Sequence, residues 1–224
     1  MSLIAMAMIR GAFALPSITP WLLPNEDKRQ ALTQLYIAQH CGVPCEQANG
    51  LYSATMTPKA IVVHWTASST AQSAWNTFAQ ATLSGRTDLT SGGSLNVSAH
   101  YLVDRDGTIY ELLPPTRIAR HCIGLNHIAI GIENVGDGTK YPITAEQVKA
   151  NVNLIKALAN KYPITHLIGH HEHNAMETHP YFQELNPKYR TTKIDPGNEI
   201  MTQIRAGLTE LSLEGPPQDS EAPR

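Results

Sequence analysis

The feature that most constrains the fold is a set of short apolar segments, each of which leads into a polar, chemically active residue. The segments are of strand length and rich in valine and isoleucine, which favours buried β-strands. These predicted strands cover residues 60–65, 128–135 and 165–169. A hairpin with an Asp-Gly turn is predicted over residues 99–113. Because helical patterns lie between the strands, the sequence predicts a mixed α/β (α+β) fold, in which helices cover a mixed sheet.

Capping signals mark the starts of three predicted helices. Asn25 is a candidate N-cap, followed by two acidic residues in the first turn. Thr144, with Gln147 three residues later, has the capping-box pattern and opens the helix with the strongest apolar stripe. Pro196 suits the first position of a last helix, for which Asp195 would be the N-cap.

The length of 224 residues and the ordinary globular composition indicate one domain with additions at its ends. Residues 59–214 contain the predicted sheet and form the main domain. Residues 1–58 are predicted to be an N-terminal extension with one helix, and residues 215–224 a disordered tail. The net charge of −2 gives no broad basic surface, so we do not expect nucleic acid as a partner. No apolar run approaches the ~20 residues of a transmembrane helix.

The N-terminus and the cysteines leave the cellular location open. Residues 1–14 are apolar, and the sequence AFA at 12–14 has the form of a signal-peptidase site. Arg10 interrupts this stretch, however, and a charged start is missing. Cys41 and Cys45 could form a disulfide if a turn brings them together, which would fit an oxidising compartment. The alternative is two reduced thiols.

Two histidines and an aspartate could form a metal site. His64 and His170 each end a predicted strand, where α/β proteins place functional groups. With Asp195 they are a ligand set for a divalent metal with one coordination position open. His171 would point to the opposite face from His170, so only one of the two can join the site; spacing alone does not decide, and His170 is preferred. Taken singly, each residue could be a core histidine or a helix cap, and the same set also suits non-haem iron.

Glu133 and Lys193 are the candidates for the proton and charge chemistry of a hydrolysis. Glu133 lies in an otherwise apolar strand, where a carboxylate is costly unless it is paired or faces a site. Burial would raise its pKa, which suits a group that takes a proton from water and passes it to a leaving amine. Lys193 lies two residues before Asp195 and could stabilise a negatively charged oxygen. The structural alternatives are a salt-bridged strand glutamate and a solvated loop lysine.

Five stretches together resemble the zinc-dependent N-acetylmuramoyl-L-alanine amidases of the type 2 amidase family, which is related to T7-type lysozymes and peptidoglycan recognition proteins. They are IVVHWTAS, VSAHYLVDRDGTIYELLP, ARHCIGLNHIAIGIENVG, LIGHHEH and KIDPG, and they run from Ile61 to Gly197. The resemblance implies a central mixed β-sheet flanked by helices on both faces. It also implies cleavage of the amide bond between N-acetylmuramic acid and L-alanine in peptidoglycan or muropeptides.

The resemblance assigns roles to individual residues. The implied ligands of one zinc ion per chain are His64, His170 and Asp195. The implied catalytic groups are Glu133 and Lys193. The residues implied to bind substrate are His121 and Asn126. His100 would be structural.

Two departures from the family pattern bear on substrate recognition. Arg120 replaces an aromatic residue that is common before His121 in bacterial members, and the loop at residues 174–190 is longer than in compact members. That loop carries four aromatic or histidine side chains and is expected to form one wall of the cleft. The alternative function is a non-catalytic peptidoglycan-binding module. A cell-wall substrate favours an exported or periplasmic bacterial protein, with the cytoplasm as the alternative.

Overall fold

A six-stranded mixed sheet with helices on both faces forms the centre of the protein. The computed structural model describes residues 16–42, 47–48 and 51–217. The strands are β1 (Ile18–Pro20), β2 (Gln47–Ala48), β3 (Leu51–Tyr52), β4 (Ala60–Trp65), β5 (Tyr101–Val103), β6 (Ile109–Glu111), β7 (Ala129–Asn134) and β8 (His166–Gly169). The helices are α1 (Glu26–His40), α2 (Ala71–Ala79), α3 (Ala145–Lys161) and α4 (Asn198–Ala206).

The main sheet has the strand order β1-β6-β5-β7-β4-β8, while β2 and β3 form a separate antiparallel pair. Within the main sheet β5 and β6 are antiparallel, as the predicted hairpin requires, and all other neighbours are parallel. β1 comes from the segment predicted to be an extension, yet it pairs with β6 at the sheet edge. Part of that segment therefore belongs to the same sheet as the site described below.

Alternate side chains of the central strands pack in opposite directions, which explains the helices on both faces. On one face, Ile61 and Val63 of β4 pack with residues of α3 and α4. On the other face, Val62 packs with Leu125 and Ile168, and α2 covers Leu102 of β5. α1 packs beside this second layer against Leu95, Ile118 and Ile123. The predicted fold class is confirmed.

The helix starts test the capping predictions. The capping box is confirmed, because Gln147 N donates to Thr144 Oγ1 at 3.1 Å and Thr144 N donates to Gln147 Oε1 at 3.0 Å. Asn25 occupies the predicted N-cap position of α1, with Glu26 and Asp27 in the first turn, but its backbone is left-handed, with φ 62°, and its side chain makes no cap bond. The prediction that Asp195 caps the last helix is wrong, because α4 begins at Asn198. The Asp195 carboxylate therefore does not cap α4 and can contribute to the site described below.

Several predictions fall on residues outside the described ranges. The candidate export segment at residues 1–14 and Cys45 of the Cys41–Cys45 pair lie there, as do residues 218–224 of the predicted tail. Among the residues that are described, no helix combines the length and the apolar character needed to cross a membrane.

Candidate functional site

The carboxyl ends of three adjacent parallel strands bring the predicted site residues together. β4 carries His64 one residue before its end, and the strand register pairs it with Glu133 in β7. β8, on the other side of β4, ends at Gly169 and delivers His170 directly after it. Because parallel strands end at the same edge of a sheet, these three side chains meet there.

His64, His170 and Asp195 form a compact cluster of ligand atoms. One ligand atom from each lies within 4.8 Å of the others, and all three residues are buried. Asp195 Oδ2 is 3.1 Å from His170 Nδ1 and 3.4 Å from His64 Nδ1. His171 points elsewhere, with its ring nitrogens 3.2 Å from the Asp195 backbone oxygen and 2.8 Å from Asn198 Oδ1. His171 therefore holds the Asp195 segment from outside the cluster.

The protonation states of the cluster suit a metal ion. Burial lowers the pKa of His64 to about 4 and lowers the pKa of His170 below its usual value. Burial alone would raise the pKa of Asp195, but the proximity of its carboxylate to His170 and His64 outweighs this effect and leaves the pKa below the usual range. Two neutral imidazoles with lone pairs and one carboxylate are nitrogen and oxygen donors for a divalent cation. The cluster can therefore hold a metal ion.

Glu133 faces the cluster with an uncommitted carboxyl group. Among the described residues, its buried Oε2 has no hydrogen-bond partner. Burial raises the pKa of Glu133 well above its usual value; the charge of Asp195 adds to this rise and that of Lys193 opposes it. A carboxyl group with a raised pKa, next to a metal-binding cluster, is suited to accept and return a proton.

His121 lies between the cluster and the backbone of β7. Its Nδ1 is 3.1 Å from His64 Nε2, and its Nε2 is 3.0 Å from the backbone oxygen of Ala129. The ring occupies space left by Gly131, where an added Cβ would lie 2.8 Å from His121 Cγ. His121 thus lines the cleft, as the sequence suggested, but both of its ring nitrogens have partners in the protein.

Asn126 lines the cleft, and its side chain makes three hydrogen bonds within the protein. Its Oδ1 accepts hydrogen bonds from the backbone N–H groups of His121 and Cys122, both at 2.8 Å. Its Nδ2 donates to the hydroxyl of Tyr36 at 2.9 Å. The side chain is buried and these hydrogen bonds fix it inside the protein, while direct substrate binding stays a prediction. Tyr36 was not identified as a site residue from the sequence.

His100 is structural, as expected. It is fully buried, its Nε2 is 2.7 Å from the backbone oxygen of Arg117, and its Nδ1 accepts the N–H of Gly131 at 2.9 Å. It therefore links β7 to the segment that follows β6.

A cleft of about 230 Å³ opens beside the cluster. Lys193, Arg86 and Tyr189 contribute to its lining. The predicted long loop begins within a 3₁₀ helix, His170–Thr178, and supplies Tyr189 to the cleft. His179 and Tyr181 from the same loop instead pack against His166.

Arg120 does not replace the aromatic residue of related sequences as a surface for stacking. It is only 2% exposed and donates hydrogen bonds to the backbone oxygens of Leu89, Gly93 and Leu95 and to the hydroxyl of Tyr189. Leu89 and Tyr189 both line the cleft. Arg120, which also contributes to the lining, therefore joins two of its walls.

The comparisons with known proteins agree with this arrangement. The model of the family described as N-acetylmuramoyl-L-alanine amidase matches residues 54–198. The solved structure of the endolysin N-acetylmuramoyl-L-alanine amidase LysCS from Clostridium intestinale URNW is similar, with a TM-score of 0.53 and 20% identity over 88% of this chain and 98% of that chain. The Ph2119 endolysin from Thermus scotoductus MAT2119 bacteriophage Ph2119 has a TM-score of 0.50 and 21% identity, over 88% of this chain and 100% of its own. At these identities the two structures show a shared fold. No curated protein matches the sequence.

Proposed function

This chain belongs to the N-acetylmuramoyl-L-alanine amidase family, and we propose that a zinc ion held by His64, His170 and Asp195 supports its hydrolysis of the amide bond between N-acetylmuramic acid and L-alanine. The observation that carries this proposal is the meeting of these three ligand residues with Glu133 at one sheet edge, where a cleft of about 230 Å³ opens. When bound, zinc would supply Lewis-acid polarisation of the scissile carbonyl and activation of water.

Glu133 is the proposed general base and acid. Its carboxylate takes a proton from the attacking water, whose oxygen bonds to the amide carbon. The carbon–nitrogen bond then breaks, and the carboxyl group returns the proton to the nitrogen of L-alanine, which leaves as a free amine. The raised pKa of Glu133 favours this return, because a buried carboxyl group binds the proton readily.

Lys193 is the proposed stabiliser of the carbonyl oxygen as it gains negative charge. It lines the cleft, and its positive charge acts on the pKa values of Glu133, His64 and His170, which supports a role for its ammonium group near the reacting atoms. Removing a comparable group costs about 2.7–4 kcal/mol of barrier lowering. The substrate is peptidoglycan or a muropeptide, and we propose export of the protein because that substrate lies outside the cytoplasm.

The test compares Glu133→Gln with Glu111→Gln, a matched change in strand β6. We expect the wild type to release free stem peptides from purified muropeptides, detected by mass spectrometry, and to contain zinc by elemental analysis. Glu133→Gln should keep the zinc and lose about 10²–10⁴-fold in kcat, while Glu111→Gln should behave as the wild type.

Three results would count against the proposal. Normal cleavage by Glu133→Gln would remove the assigned base. Binding of muropeptides by the wild type without any release of peptide would indicate a non-catalytic binding module. Iron in place of zinc would overturn the metal assignment.

A further inference from the structure

We propose that His121 is a positioning residue that fixes the metal ligand His64, and that Tyr36 of helix α1 supports His121 through Asn126. This inference rests on the proposed metal site and adds to it residues that are not among its three proposed ligands. Tyr36 lies outside the part of the chain that matches the family, residues 54–198.

The hydrogen bonds around His121 determine which nitrogen of His64 is free. The backbone oxygen of Ala129 can only accept, so His121 Nε2, 3.0 Å away, carries the hydrogen. In the neutral imidazole, His121 Nδ1 is then an acceptor, and His64 Nε2 at 3.1 Å must donate to it. The hydrogen of His64 is thereby placed on Nε2, and its Nδ1 keeps a lone pair.

The free nitrogen of His64 is the one that faces the cluster. His64 Nδ1 lies 3.4 Å from the carboxylate oxygen Oδ2 of Asp195. Two acceptor atoms that face each other at this distance are held favourably by a cation between them. Partners that fix the tautomer and the ring orientation of a ligating histidine typically contribute 10–100-fold to metal affinity. His121 provides this function for His64.

Strand β7 is shaped to receive His121. An added Cβ at Gly131 would lie 2.8 Å from Cγ and 2.9 Å from Nδ1 of His121, closer than packed atoms allow. The absence of a side chain at residue 131 therefore lets the imidazole lie against the strand and reach Ala129 and His64 together.

Helix α1 holds the backbone of His121 through a chain of hydrogen bonds. Asn126 Oδ1 accepts the N–H groups of His121 and Cys122, and Asn126 Nδ2 donates to Tyr36 at 2.9 Å. Tyr36 is only 3% exposed, so loss of its hydroxyl would leave a buried N–H of Asn126 without this acceptor. The side-chain amide of Asn126 would then be free to rotate, which would weaken its hydrogen bond with the backbone N–H of His121.

Tyr36 is itself held on two sides. Its ring stacks on His40 at a centroid distance of 4.6 Å, and His40 Nδ1 lies 2.8 Å from Glu184 Oε1. The guanidinium carbon of Arg120 lies 5.6 Å from the centre of the Tyr36 ring. These contacts connect α1 to Glu184 and to Arg120, and they fix the position of the Tyr36 hydroxyl.

The first arm of the test measures metal affinity directly. Dissociation constants for Zn²⁺ and Co²⁺ are obtained by competition with a chelator, for the wild type, His121→Leu and His121→Asn. His121→Leu removes the acceptor and should weaken binding by about 10–100-fold. His121→Asn keeps an oxygen near the position of Nδ1 and should restore most of the affinity, which a purely steric role would not predict.

The second arm tests helix α1 with a change of one oxygen atom. Tyr36→Phe should weaken metal binding in the same direction by about tenfold at most, and kcat should fall more than KM rises. Tyr110→Phe, whose ring packs against Trp21 in another part of the fold, is the matched control and should have no effect. In the His121→Leu background, Tyr36→Phe should cause no further loss of affinity.

The outcomes separate this inference from the proposed function. Equal metal affinity for His121→Leu, His121→Asn and the wild type would overturn it, as would a rise in KM alone, which would make His121 a substrate contact. Full additivity of the two substitutions would remove the link from Tyr36. A wild type that binds zinc but releases no peptide would instead refute the proposed function, while the affinity series would still test His121.

Discussion

The buried guanidinium of Arg120 gives the sharpest prediction about stability. Replacement by methionine fills a similar volume but removes the guanidinium N–H groups that donate to the hydroxyl of Tyr189 and to the backbone oxygens of Leu89, Gly93 and Leu95. Each buried acceptor left without a partner costs about 1–3 kcal/mol. Burial of the apolar side chain returns part of this loss, so we expect Arg120→Met to lower the free energy of unfolding by about 3–5 kcal/mol.

The matched control is Arg117→Met, the same chemical change at a surface ion pair. The partner of Arg117, Glu26, is 76% exposed, and surface pairs of this kind contribute about 0–1 kcal/mol. Urea denaturation, followed by circular dichroism at neutral pH, gives both free energies of unfolding. If Arg120→Met costs no more than Arg117→Met, the hydrogen bonds that join the two walls of the cleft do not stabilise the fold, and the reasoning is refuted.

Two further predictions concern the site and its surroundings. Lys193→Met should lower kcat by about 10²-fold with little change in KM or zinc content, whereas Lys188→Met in the same segment should have no effect; a change confined to KM would contradict the assigned role. For His100, burial holds the pKa at about 4 against 6.5 in the unfolded chain. The unfolded state therefore takes up the proton first as the pH falls, and this residue should cost about 2 kcal/mol of stability by pH 5. Unfolding free energies at pH 7 and pH 5 should differ less in His100→Gln than in the wild type, and an unchanged difference would refute the assignment.

Much of the fold follows from local sequence signals. The buried strands β4 and β7 correspond to apolar segments of strand length, and the capping box at Thr144 is at the start of α3, as the sequence predicts. The errors occur where one sequence pattern is compatible with two different local structures. Asp195 before Pro196 is typical of a helix start, but here the carboxylate faces two histidines, and α4 begins later at Asn198.

Two members of the candidate metal cluster could be predicted because His64 lies near the end of a buried strand and His170 directly follows one; Asp195 comes from the loop before α4. The hydrogen bonds of Asn126 could not be predicted, because a sequence does not show which buried backbone N–H groups an asparagine satisfies. Arg120 presented the same difficulty, since its acceptors are backbone oxygens in a segment that lies 25 to 31 residues earlier. Only the folded chain shows which side chains have spare hydrogen-bonding capacity.

Helix α1 illustrates how a domain boundary that is predicted from strands and motifs can exclude residues that support the site. The hydrogen bond between Tyr36 and Asn126 joins residues 90 positions apart, and no motif links them. In the sequence, Tyr36 is one more apolar position of an amphipathic helix. In the structure, its hydroxyl is the far end of a chain of hydrogen bonds that runs through Asn126 to His121 and the proposed metal ligand His64. The predicted start of the main domain at residue 59 therefore excludes a residue on which, by our inference, the geometry of the metal site depends.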